Sequence, residues 1–344
     1  MNPAMLLLAV SLAQPPAEPQ LIVRPDAFQT LVNPTCSHCI DEAKRRAADL
    51  RPDDRVLAWT RGKYDGGAIP VRFFLAAHRV ISDTYGTFVF DPDAGFARAF
   101  PASLDYRFHG WRNGVMVMKH KDGTLFSSLS GVAFDGPRKG ERLPDWPTIV
   151  TDWGWYAKHY PGGVVYQMHE KFQPVELTSK PSEESLKSRL KPDPRLSADA
   201  MVLGIDRTNA RSNHRAYPLA ELEKLGDFAV LPDTLECGNQ VVVLWQASTH
   251  TAAAYVPMAE RRAKSDKLGI EGAVVESKAE LKLVADGKSE AAPFVDTLTG
   301  TRFDISGRGI DGALKGWTLV PYRAVMVKWY AWAAEYPTTV IKGK

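Results

Sequence analysis

Hydrophobic residues in this chain fall mostly into short runs that are rich in β-branched and aromatic side chains. Gly, Asp, Asn and Pro bound these runs, as in TFVFDPDAGFARAF (residues 87–100) and VVVLWQASTHTAAAY (residues 241–255). This pattern predicts strands joined by tight turns. Long amphipathic segments do not alternate with the runs, which argues against parallel βαβ winding. We therefore predict an α+β fold that is β-rich and mostly antiparallel.

Two short segments, one near the end of each half of the chain, have helical spacing. In the first, apolar residues recur at i, i+3, i+4 and i+7, which places on one helix face Trp153, Tyr156, Ala157 and Tyr160. Pro161 then ends the predicted helix, because proline cannot continue the hydrogen-bonding pattern. The same pattern recurs with Trp329 and Pro337.

An internal repeat relates the two halves. Residues 128–165 align with residues 304–341 at a constant offset of 176 positions, with no gap and with twelve identities in 38 positions. Half of the identical pairs are Gly, Trp, Pro or turn Asp, for example Asp135-Gly136 with Asp311-Gly312. Self-similarity at a fixed offset is the signature of a repeated structural unit. We predict two tandem repeats, each ending in a short Trp-bearing helix.

The repeats define the domain organisation that we predict. Repeat 1 covers residues 51–169, and repeat 2 covers residues 201–344 with a charged surface insertion at about residues 259–290. Between the repeats, residues 170–200 are rich in Pro, Ser, Lys and Glu, which is typical of a linker. A short helix is predicted within this linker at residues 182–190.

The N-terminal segment predicts export. Residues 4–13 (AMLLLAVSLA) form an apolar run that is too short to cross a bilayer, which takes about 20 apolar residues. The run suits a signal peptide at residues 1–13, with small residues next to the cleavage position. No Lys or Arg precedes it, so a disordered or buried N-terminal segment is the alternative. We expect a periplasmic or extracellular protein with no transmembrane segment in the mature chain.

The length and net charge of the chain limit the classes of binding partner that we expect. At 344 residues the chain exceeds a typical single domain. Its formal net charge of +3 is small, and its basic residues are interspersed with acidic ones rather than clustered. This pattern gives no support for binding to nucleic acid or to an anionic membrane. The expected partner is a small molecule or another protein.

The sharpest chemical motif, Cys36-Ser37-His38-Cys39, lies in an N-terminal segment (residues 14–50) and precedes a helix-forming stretch from Asp41. A Cys-x-x-Cys at a helix N-terminus acidifies its first thiol, which suits redox chemistry by Cys36 and Cys39. The side chains of Cys36, His38 and Cys39 could instead bind copper or zinc. A structural disulfide is the plainest interpretation in an oxidising compartment. We expect Cys237 to be a partly buried thiol.

The other candidate residues have structural interpretations. Ser130 and Ser306 precede Gly but lie outside a G-x-S-x-G elbow, so we interpret them as turn serines rather than nucleophiles. Asp91 and Asp93 supply too few oxygens for Ca²⁺ and predict a solvated turn. Asp233 lies at the start of a turn, where its carboxylate is expected to cap backbone N–H groups.

Three segments resemble a known family. Residues 123–143 (GTLFSSLSGVAFDGPRKGERL), followed by Asp152-Trp153 and Pro161, resemble the DUF3179 family of bacterial and archaeal proteins. Residues 214–219 are similar to its Arg-Ala-Tyr-Pro segment, and residues 231–234 to its Asn-Asp turn. The resemblance covers nearly the whole chain, once per repeat. Because the family has no assigned function, the resemblance implies a fold and not a reaction.

Members of that family often end a strand in a Tyr-Cys-Pro-x-Cys-like sequence. The corresponding residues 90–94 and 245–249 contain no cysteine here, so any chemistry of those family cysteines is not expected in this chain. We therefore expect an exported protein whose two repeats pack with approximate two-fold symmetry and present a groove to a ligand or partner. The alternative is a thiol–disulfide oxidoreductase or metal-handling protein that uses Cys36, His38 and Cys39.

Overall fold

The computed structural model describes most of the chain in ten stretches: residues 20–32, 40–42, 50–59, 66–74, 78–82, 86–101, 105–166, 181–206, 213–262 and 275–343. Its α-helices are short, and we number them in chain order: α1 (Val71–Phe74), α2 (Trp153–His159), α3 (Glu183–Ser188), α4 (Leu219–Glu223) and α5 (Trp329–Glu335). A 3₁₀-helix covers Ala247–Thr249.

Strands make up most of the regular structure in both halves. Those before residue 170 are β1 (Leu21–Val23), β2 (Gln29–Val32), β3 (Ile40–Glu42), β4 (Arg55–Trp59), β5 (Gly67–Pro70), β6 (His78–Ser82), β7 (Thr87–Asp91), β8 (Phe96–Phe100), β9 (Tyr106–Arg112), β10 (Val115–His120), β11 (Leu125–Ser127), β12 (Ala133–Asp135), β13 (Ile149–Asp152) and β14 (Val164–Tyr166). Those after residue 200 are β15 (Met201–Ile205), β16 (Arg215–Pro218), β17 (Phe228–Thr234), β18 (Gln240–Gln246), β19 (Thr251–Arg262), β20 (Val275–Glu280), β21 (Leu283–Ala285), β22 (Phe294–Asp296), β23 (Arg302–Phe303), β24 (Gly309–Asp311), β25 (Thr318–Pro321), β26 (Ala324–Lys328) and β27 (Val340–Ile341).

The strands form six sheets, three in each half. The first half has the orders β1-β9-β10-β11-β12, β13-β4-β5-β14-β3 and β2-β6-β7-β8. The second half has β26-β15-β16-β27, β21-β22-β23-β24 and β17-β18-β19-β20, with β25 also paired to β19. Of the described strand pairs, those that run parallel are β2 with β6, β5 with β14 and β16 with β27. The prediction of a β-rich, mostly antiparallel fold with few helices is confirmed.

One sheet in each half carries the Trp-bearing helix in the same way. The orders β13-β4-β5-β14 and β26-β15-β16-β27 share the same pairing senses, antiparallel for the first two pairs and parallel for the last. In each sheet the strand at one edge leads directly into the helix, α2 or α5. The chain then returns to the far side of the same sheet as β14 or β27, and β3 continues the first sheet beyond β14.

Both predicted Trp-bearing helices are confirmed. Each helix is followed by a capping tyrosine, Tyr160 or Tyr336, whose N–H group donates to a carbonyl one turn earlier, at 2.8 Å. Pro161 or Pro337 follows directly, where the helix can no longer continue. The first residue of each helix, Trp153 or Trp329, is buried.

The two Asp-Gly turns hold their glycines in a left-handed conformation. Gly136 has a φ of 90° and Gly312 a φ of 94°, a region that disfavours residues with a Cβ atom. A Cβ at either position would lie 2.7 Å from the Cα of a facing threonine, Thr124 or Thr301. The threonine backbone cannot move aside without a large cost in free energy. Both turns therefore need glycine, first for its positive φ and second for its lack of a Cβ atom.

The two halves share their hydrophobic core. The largest apolar cluster contains Phe88, Trp146 and Tyr156 from the first half and Leu244 and Tyr255 from the second. A second cluster likewise joins side chains of β8 and β10 to those of β15, β26 and α5. Buried apolar surface therefore connects the halves, and each half also has an apolar cluster whose buried members are all its own.

The described parts of the predicted linker and insertion contain regular structure. The helix predicted at residues 182–190 is confirmed as α3, and the Ser182 hydroxyl caps it by accepting from the Ser185 N–H at 3.3 Å. The insertion lengthens a hairpin, since β20 pairs antiparallel with the end of β19. It begins at Ala259, which is buried, so the insertion is not wholly at the surface.

The prediction of a solvated turn at Asp91 and Asp93 is wrong. Both side chains are buried. Asp91 accepts hydrogen bonds from the N–H groups of Ala94 at 3.1 Å and Met116 at 2.9 Å. Asp93 accepts from the N–H and the hydroxyl of Ser182, at 3.2 and 2.5 Å. These donors replace water, so the carboxylates fix the β7–β8 turn and its contact with the start of α3.

Within the part of the chain that the structure describes, no helix has the length and apolar character needed to cross a membrane.

Candidate functional site

The motif residues Cys36, His38 and Cys39 lie outside the described residues, as do residues 1–13. The redox, metal and disulfide hypotheses for this motif stay predictions. The chain directly after Cys39 is described, and it forms β3, which pairs antiparallel with β14. The helix expected from Asp41 therefore does not begin there, because sheet pairing outweighs local helix propensity.

The remaining cysteine is Cys237, which is half-buried in the turn between β17 and β18, as expected. Across the described stretches, no group of three or more His, Cys, Asp and Glu side chains is arranged to hold a metal ion.

The two turn serines connect each half to the Trp-bearing helix of the other half. The buried Ser130 hydroxyl donates to the carboxylate of Glu335, the last residue of α5. The Ser306 hydroxyl donates to Asp304 at 2.5 Å and accepts from the Tyr160 hydroxyl, which follows α2. The serines thus have a structural role at the contact between the halves.

A buried charged cluster lies at the same contact. We define the arginine cluster as Arg98, Arg142, Asp145, Asp206 and Arg323, which come from both halves. Arg98 and Asp206 are only 3% and 2% exposed. Burying an ion costs several kcal/mol unless opposite charges and hydrogen bonds compensate it. The partners of each charge therefore decide what the cluster can do.

Asp206 is well compensated. Arg142 forms an ion pair with Oδ2, the Tyr336 hydroxyl donates to Oδ2 at 3.2 Å, and His214 Nδ1 lies 3.1 Å from Oδ1. Burial acts to raise the pKa of Asp206. The hydrogen bond from His214 and the charges of Arg142 and Arg323 outweigh burial and hold that pKa below its usual range. Asp206 is therefore ionised at neutral pH.

Asp145 is compensated by Arg98. The Nε and Nη2 atoms of Arg98 both donate to Asp145 Oδ1, at 3.2 and 2.8 Å, and its Nη1 donates to the carbonyl of Leu129. Charge-assisted bonds of this kind are among the stronger hydrogen bonds in proteins. Asp145 is thus engaged by a cation other than Arg323.

Arg323 is the cation with the most distant carboxylates. Its Nε lies 3.6 Å from Asp206 Oδ2 and 3.9 Å from Asp145 Oδ1, both beyond hydrogen-bonding distance. Its Nη2 donates to two carbonyl oxygens, those of Ser130 at 3.1 Å and Leu143 at 3.2 Å. The close hydrogen bonds of Arg323 are therefore accepted by uncharged carbonyl oxygens, whereas Arg98 and Arg142 have carboxylates as close partners.

The electrostatics agree with this geometry. Burial, and after it repulsion from Arg98, lower the pKa of Arg323 to about 10, despite the attraction of Asp145 and Asp206. A depressed arginine pKa means that the charged form is disfavoured where it stands. An anion placed at Arg323 would relieve this local excess of positive charge.

Arg323 and Asp145 line an open groove of about 540 Å³, which we call the central groove. Its other lining residues are Pro147, Asn239, Gln240, Val256, Pro321 and Tyr322. The groove adjoins an inner cavity of about 50 Å³, which Arg98 and Ser306 also line. A mostly apolar wall with a few polar groups is typical of a small-molecule site.

The two segments around residues 214–219 and 231–234 meet at Asp233. Its Oδ2 accepts from the Tyr217 hydroxyl at 2.6 Å and from Arg215 Nε at 3.3 Å, and its Oδ1 accepts from Lys342 Nζ at 2.8 Å. The expected turn bond to the Thr234 N–H is also present, at 2.9 Å. Asp233 has donors on both oxygens, so this cluster ties strands together rather than offering an open site.

The arginine cluster was missed in the sequence because its members are far apart along the chain, with Arg98 and Arg323 in different halves. One signal was available. Arg98 lies between Ala97 and Ala99 in an apolar strand, and a charged side chain in such a strand is rarely buried without a partner. The identity of that partner, Asp145, has no local signal.

The sequence matches one model of a known protein family. The model described as "Protein of unknown function (DUF3179)" matches residues 31–339, which is nearly the whole chain and includes both halves. No curated protein and no solved structure matches the chain. The arginine cluster and Asp233 lie within the matched range, whereas β1, β27 and Lys342 lie outside it. The chain belongs to the DUF3179 family of proteins of unknown function.

Proposed function

We propose that this is an exported binding protein without catalytic activity, which takes up a small organic anion in the central groove. One observation carries the proposal. Arg323 lines the groove as a largely buried cation, and its neighbouring carboxylates are held by other donors. Arg323 is therefore the group that gains most from a new anionic partner.

The lining of the groove indicates the chemistry of the ligand. Val256, Pro147 and Tyr322 provide apolar contact, while the amides of Asn239 and Gln240 provide donors and acceptors. A carboxylate on a compact apolar body matches this combination, because the Nε of Arg323 has no hydrogen-bond partner among the described residues and charge-assisted bonds to carboxylates are strong. Such a ligand is expected to place its carboxylate at Arg323.

Duplication and export are parts of the same proposal. The gap-free alignment of residues 128–165 with 304–341 and the matching strand orders of the α2 and α5 sheets support two tandem repeats. The central groove lies where those repeats meet. The apolar run at residues 4–13 supports export. N-terminal sequencing of the secreted protein is expected to begin directly after Ala13.

Calorimetric titration with benzoate tests the ligand proposal. Benzamide, which has the same shape without the charge, is the matched ligand control. We expect benzoate to bind and benzamide not to bind. Arg323→Met, which keeps an apolar stem but removes the charge, is expected to weaken benzoate binding at least tenfold, or about 1.4 kcal/mol.

Arg302→Met is the matched control variant, because Arg302 pairs with Asp286 and does not line the groove. It is expected to bind benzoate as the natural protein does. Thermal unfolding of each variant shows whether the fold is intact, and Arg323→Lys provides a charged variant if Arg323→Met does not fold. Equal binding of benzoate and benzamide, or equal loss in both Met variants, would contradict the proposal.

The alternative function remains thiol redox chemistry or metal handling by Cys36, His38 and Cys39. The Cys-x-x-Cys spacing supports it. Titration of thiols before and after mild reductant, with analysis of the purified protein for copper and zinc, tests it directly. A disulfide that resists mild reductant in a protein without bound metal would rule this alternative out.

A further inference from the structure

A second pocket, of about 260 Å³, lies away from the central groove beside α2 and the 3₁₀-helix. We call it the α2 pocket, and its polar and aromatic lining includes Asp152, Trp155, Lys158, His159, Ser248 and Glu290. None of these residues lines the central groove. Its volume exceeds the roughly 30 Å³ that one water molecule occupies in the liquid, so a single water cannot fill it.

Trp155 brings an unused hydrogen-bond donor to this pocket. The residue is only 7% exposed, and its indole Nε1 is buried without a hydrogen-bond partner among the described residues. Indole N–H is a donor only, and a buried donor left unpaired is unfavourable. The indole nitrogens of Trp111, Trp146 and Trp245 are also buried without a partner among the described residues, but none of these residues lines the α2 pocket. Trp332, in contrast, donates to Thr339 at 3.0 Å.

His159 brings an unused acceptor next to that donor. Its Nδ1 lies 2.7 Å from the carbonyl oxygen of Trp155. A carbonyl can only accept, so Nδ1 carries the hydrogen, and Nε2 of the neutral imidazole is then an acceptor. Nε2 is buried without a hydrogen-bond partner among the described residues. The imidazole stacks on the Trp155 ring with centroids 4.5 Å apart.

A group that satisfies both nitrogens must accept one hydrogen bond and donate another. A hydroxyl does both. A carboxylate cannot donate to His159 Nε2, and the carboxylates of Asp152 and Glu290 in the pocket wall disfavour it further. An ammonium group cannot accept from Trp155. Lys158, Asp152 and Ser248 add donors and acceptors that suit further hydroxyl groups.

We propose that the α2 pocket binds a neutral polyhydroxy compound, a sugar or polyol, with one hydroxyl bridging Trp155 Nε1 and His159 Nε2. Both nitrogens are buried in the structure, and the proposed binding therefore requires the two rings to rotate toward the pocket. The site is specific to the first half. The corresponding positions of α5 are Ala331 and Glu335, which offer neither an indole nor an imidazole.

Indole N–H resonances provide a site-specific readout. The protein has nine tryptophans, and the cross-peak that disappears in Trp155→Phe identifies Trp155 in a ¹H–¹⁵N spectrum. We expect this cross-peak to move on titration with D-glucose or glycerol. It is expected to stay unchanged with sodium acetate or ammonium chloride. His159→Phe, which keeps an aromatic ring but removes both nitrogens, is expected to weaken the binding of D-glucose at least tenfold.

Trp332→Phe is the matched control, because it removes an indole whose N–H is already paired. It is expected to leave the response of the Trp155 cross-peak unchanged. Thermal unfolding reports whether each variant is folded, and the titration of the natural protein decides the proposal even if His159→Phe does not fold. The proposal is overturned if the Trp155 cross-peak does not shift with D-glucose and glycerol, or if it shifts equally with acetate.

Discussion

Asp91 and Asp206 are buried carboxylates whose surroundings shift their pKa values in opposite directions. For Asp206, the hydrogen bond from His214 and nearby arginines outweigh burial and lower the pKa. For Asp91, burial and then the neighbouring charge of Asp93 raise the pKa to about 6, against the backbone donors and the attraction of Arg79. Each residue therefore couples folding to pH with its own sign.

The raised pKa of Asp91 predicts stability that decreases as pH rises. The native pKa of about 6 exceeds the ordinary value of 3.8, so the native state holds the proton more tightly than the unfolded state. The contribution of Asp91 is full below about pH 4 and is lost as pH rises through 6. We expect the unfolding free energy of the natural protein, relative to Asp91→Asn, to fall by about 3 kcal/mol between pH 3 and pH 7. Urea unfolding at several pH values measures it, and a pH-independent difference would contradict it.

Removal of Asp206 is expected to be strongly destabilising. Asp206→Ala leaves Arg142 and Arg323 without a buried counter-charge, and breaking a buried ion pair in this way costs about 3–5 kcal/mol. Asp199→Ala is the control, because Asp199 is 70% exposed and its carboxylate lies 3.4 Å from Lys328. That variant is expected to cost less than about 1 kcal/mol. Similar losses of unfolding free energy in the two variants would show that the cluster is not stabilising.

At the level of elements, the repeated turns allow the same comparison to be made twice. Gly136 and Gly312 have positive φ and face backbone atoms, whereas Gly140 and Gly316 have positive φ with nothing within 4 Å of an added Cβ. Alanine at the second pair suffers only conformational strain, about 1–2 kcal/mol. Alanine at the first pair adds a clash that costs a further 1–3 kcal/mol or so.

We therefore expect Gly136→Ala and Gly312→Ala to be more destabilising than Gly140→Ala and Gly316→Ala, in each half by a similar margin. Thermal or urea unfolding of the four variants measures this order. A reversed order in either half would mean that the facing threonine backbone moves aside, contrary to the structure.

Element-scale features were largely predictable because their causes are local. Helices α2 and α5 follow from apolar spacing and a terminating proline, and the Asp-Gly turns follow from glycine's access to positive φ. Residues 41–42 have helix-forming side chains but lie in β3, because a partner strand 120 or so positions later, β14, supplies the hydrogen bonds. Asp91 and Asp93 were misassigned for the same reason, since Met116 and Ser182, which donate to them, are remote in sequence.

The arginine cluster was not predictable because its energetics depend on distant pairs. Arg142 and Asp206 are both ordinary charged residues in the sequence, and only the packing of one half against the other joins them. The α2 pocket was partly predictable from the sequence. Trp155 and His159 follow from helical spacing as i, i+4 neighbours, but their unpaired nitrogens require the surroundings to be known.

At the scale of the whole molecule, the shared core predicts cooperative unfolding. Apolar side chains of both halves pack in the same clusters, so loss of one half exposes the interior of the other. We expect one calorimetric transition, with the van't Hoff enthalpy equal to the calorimetric enthalpy. Near-ultraviolet circular dichroism is expected to change at the same temperature as far-ultraviolet circular dichroism. Two separated transitions would contradict the shared core.

The reciprocal contacts of Ser130 and Ser306 have a consequence for how such a chain can evolve. Each half uses the same turn to reach the other half's Trp-bearing helix, as two identical subunits do across an isologous dimer interface. Under the proposed duplication, joining the subunits covalently removes the requirement that both surfaces stay identical. One copy can then keep a purely architectural helix end, as α5 does, while the other acquires an indole and an imidazole at equivalent positions. Fusion thereby turns a symmetric assembly into one that can carry a different pocket on each side.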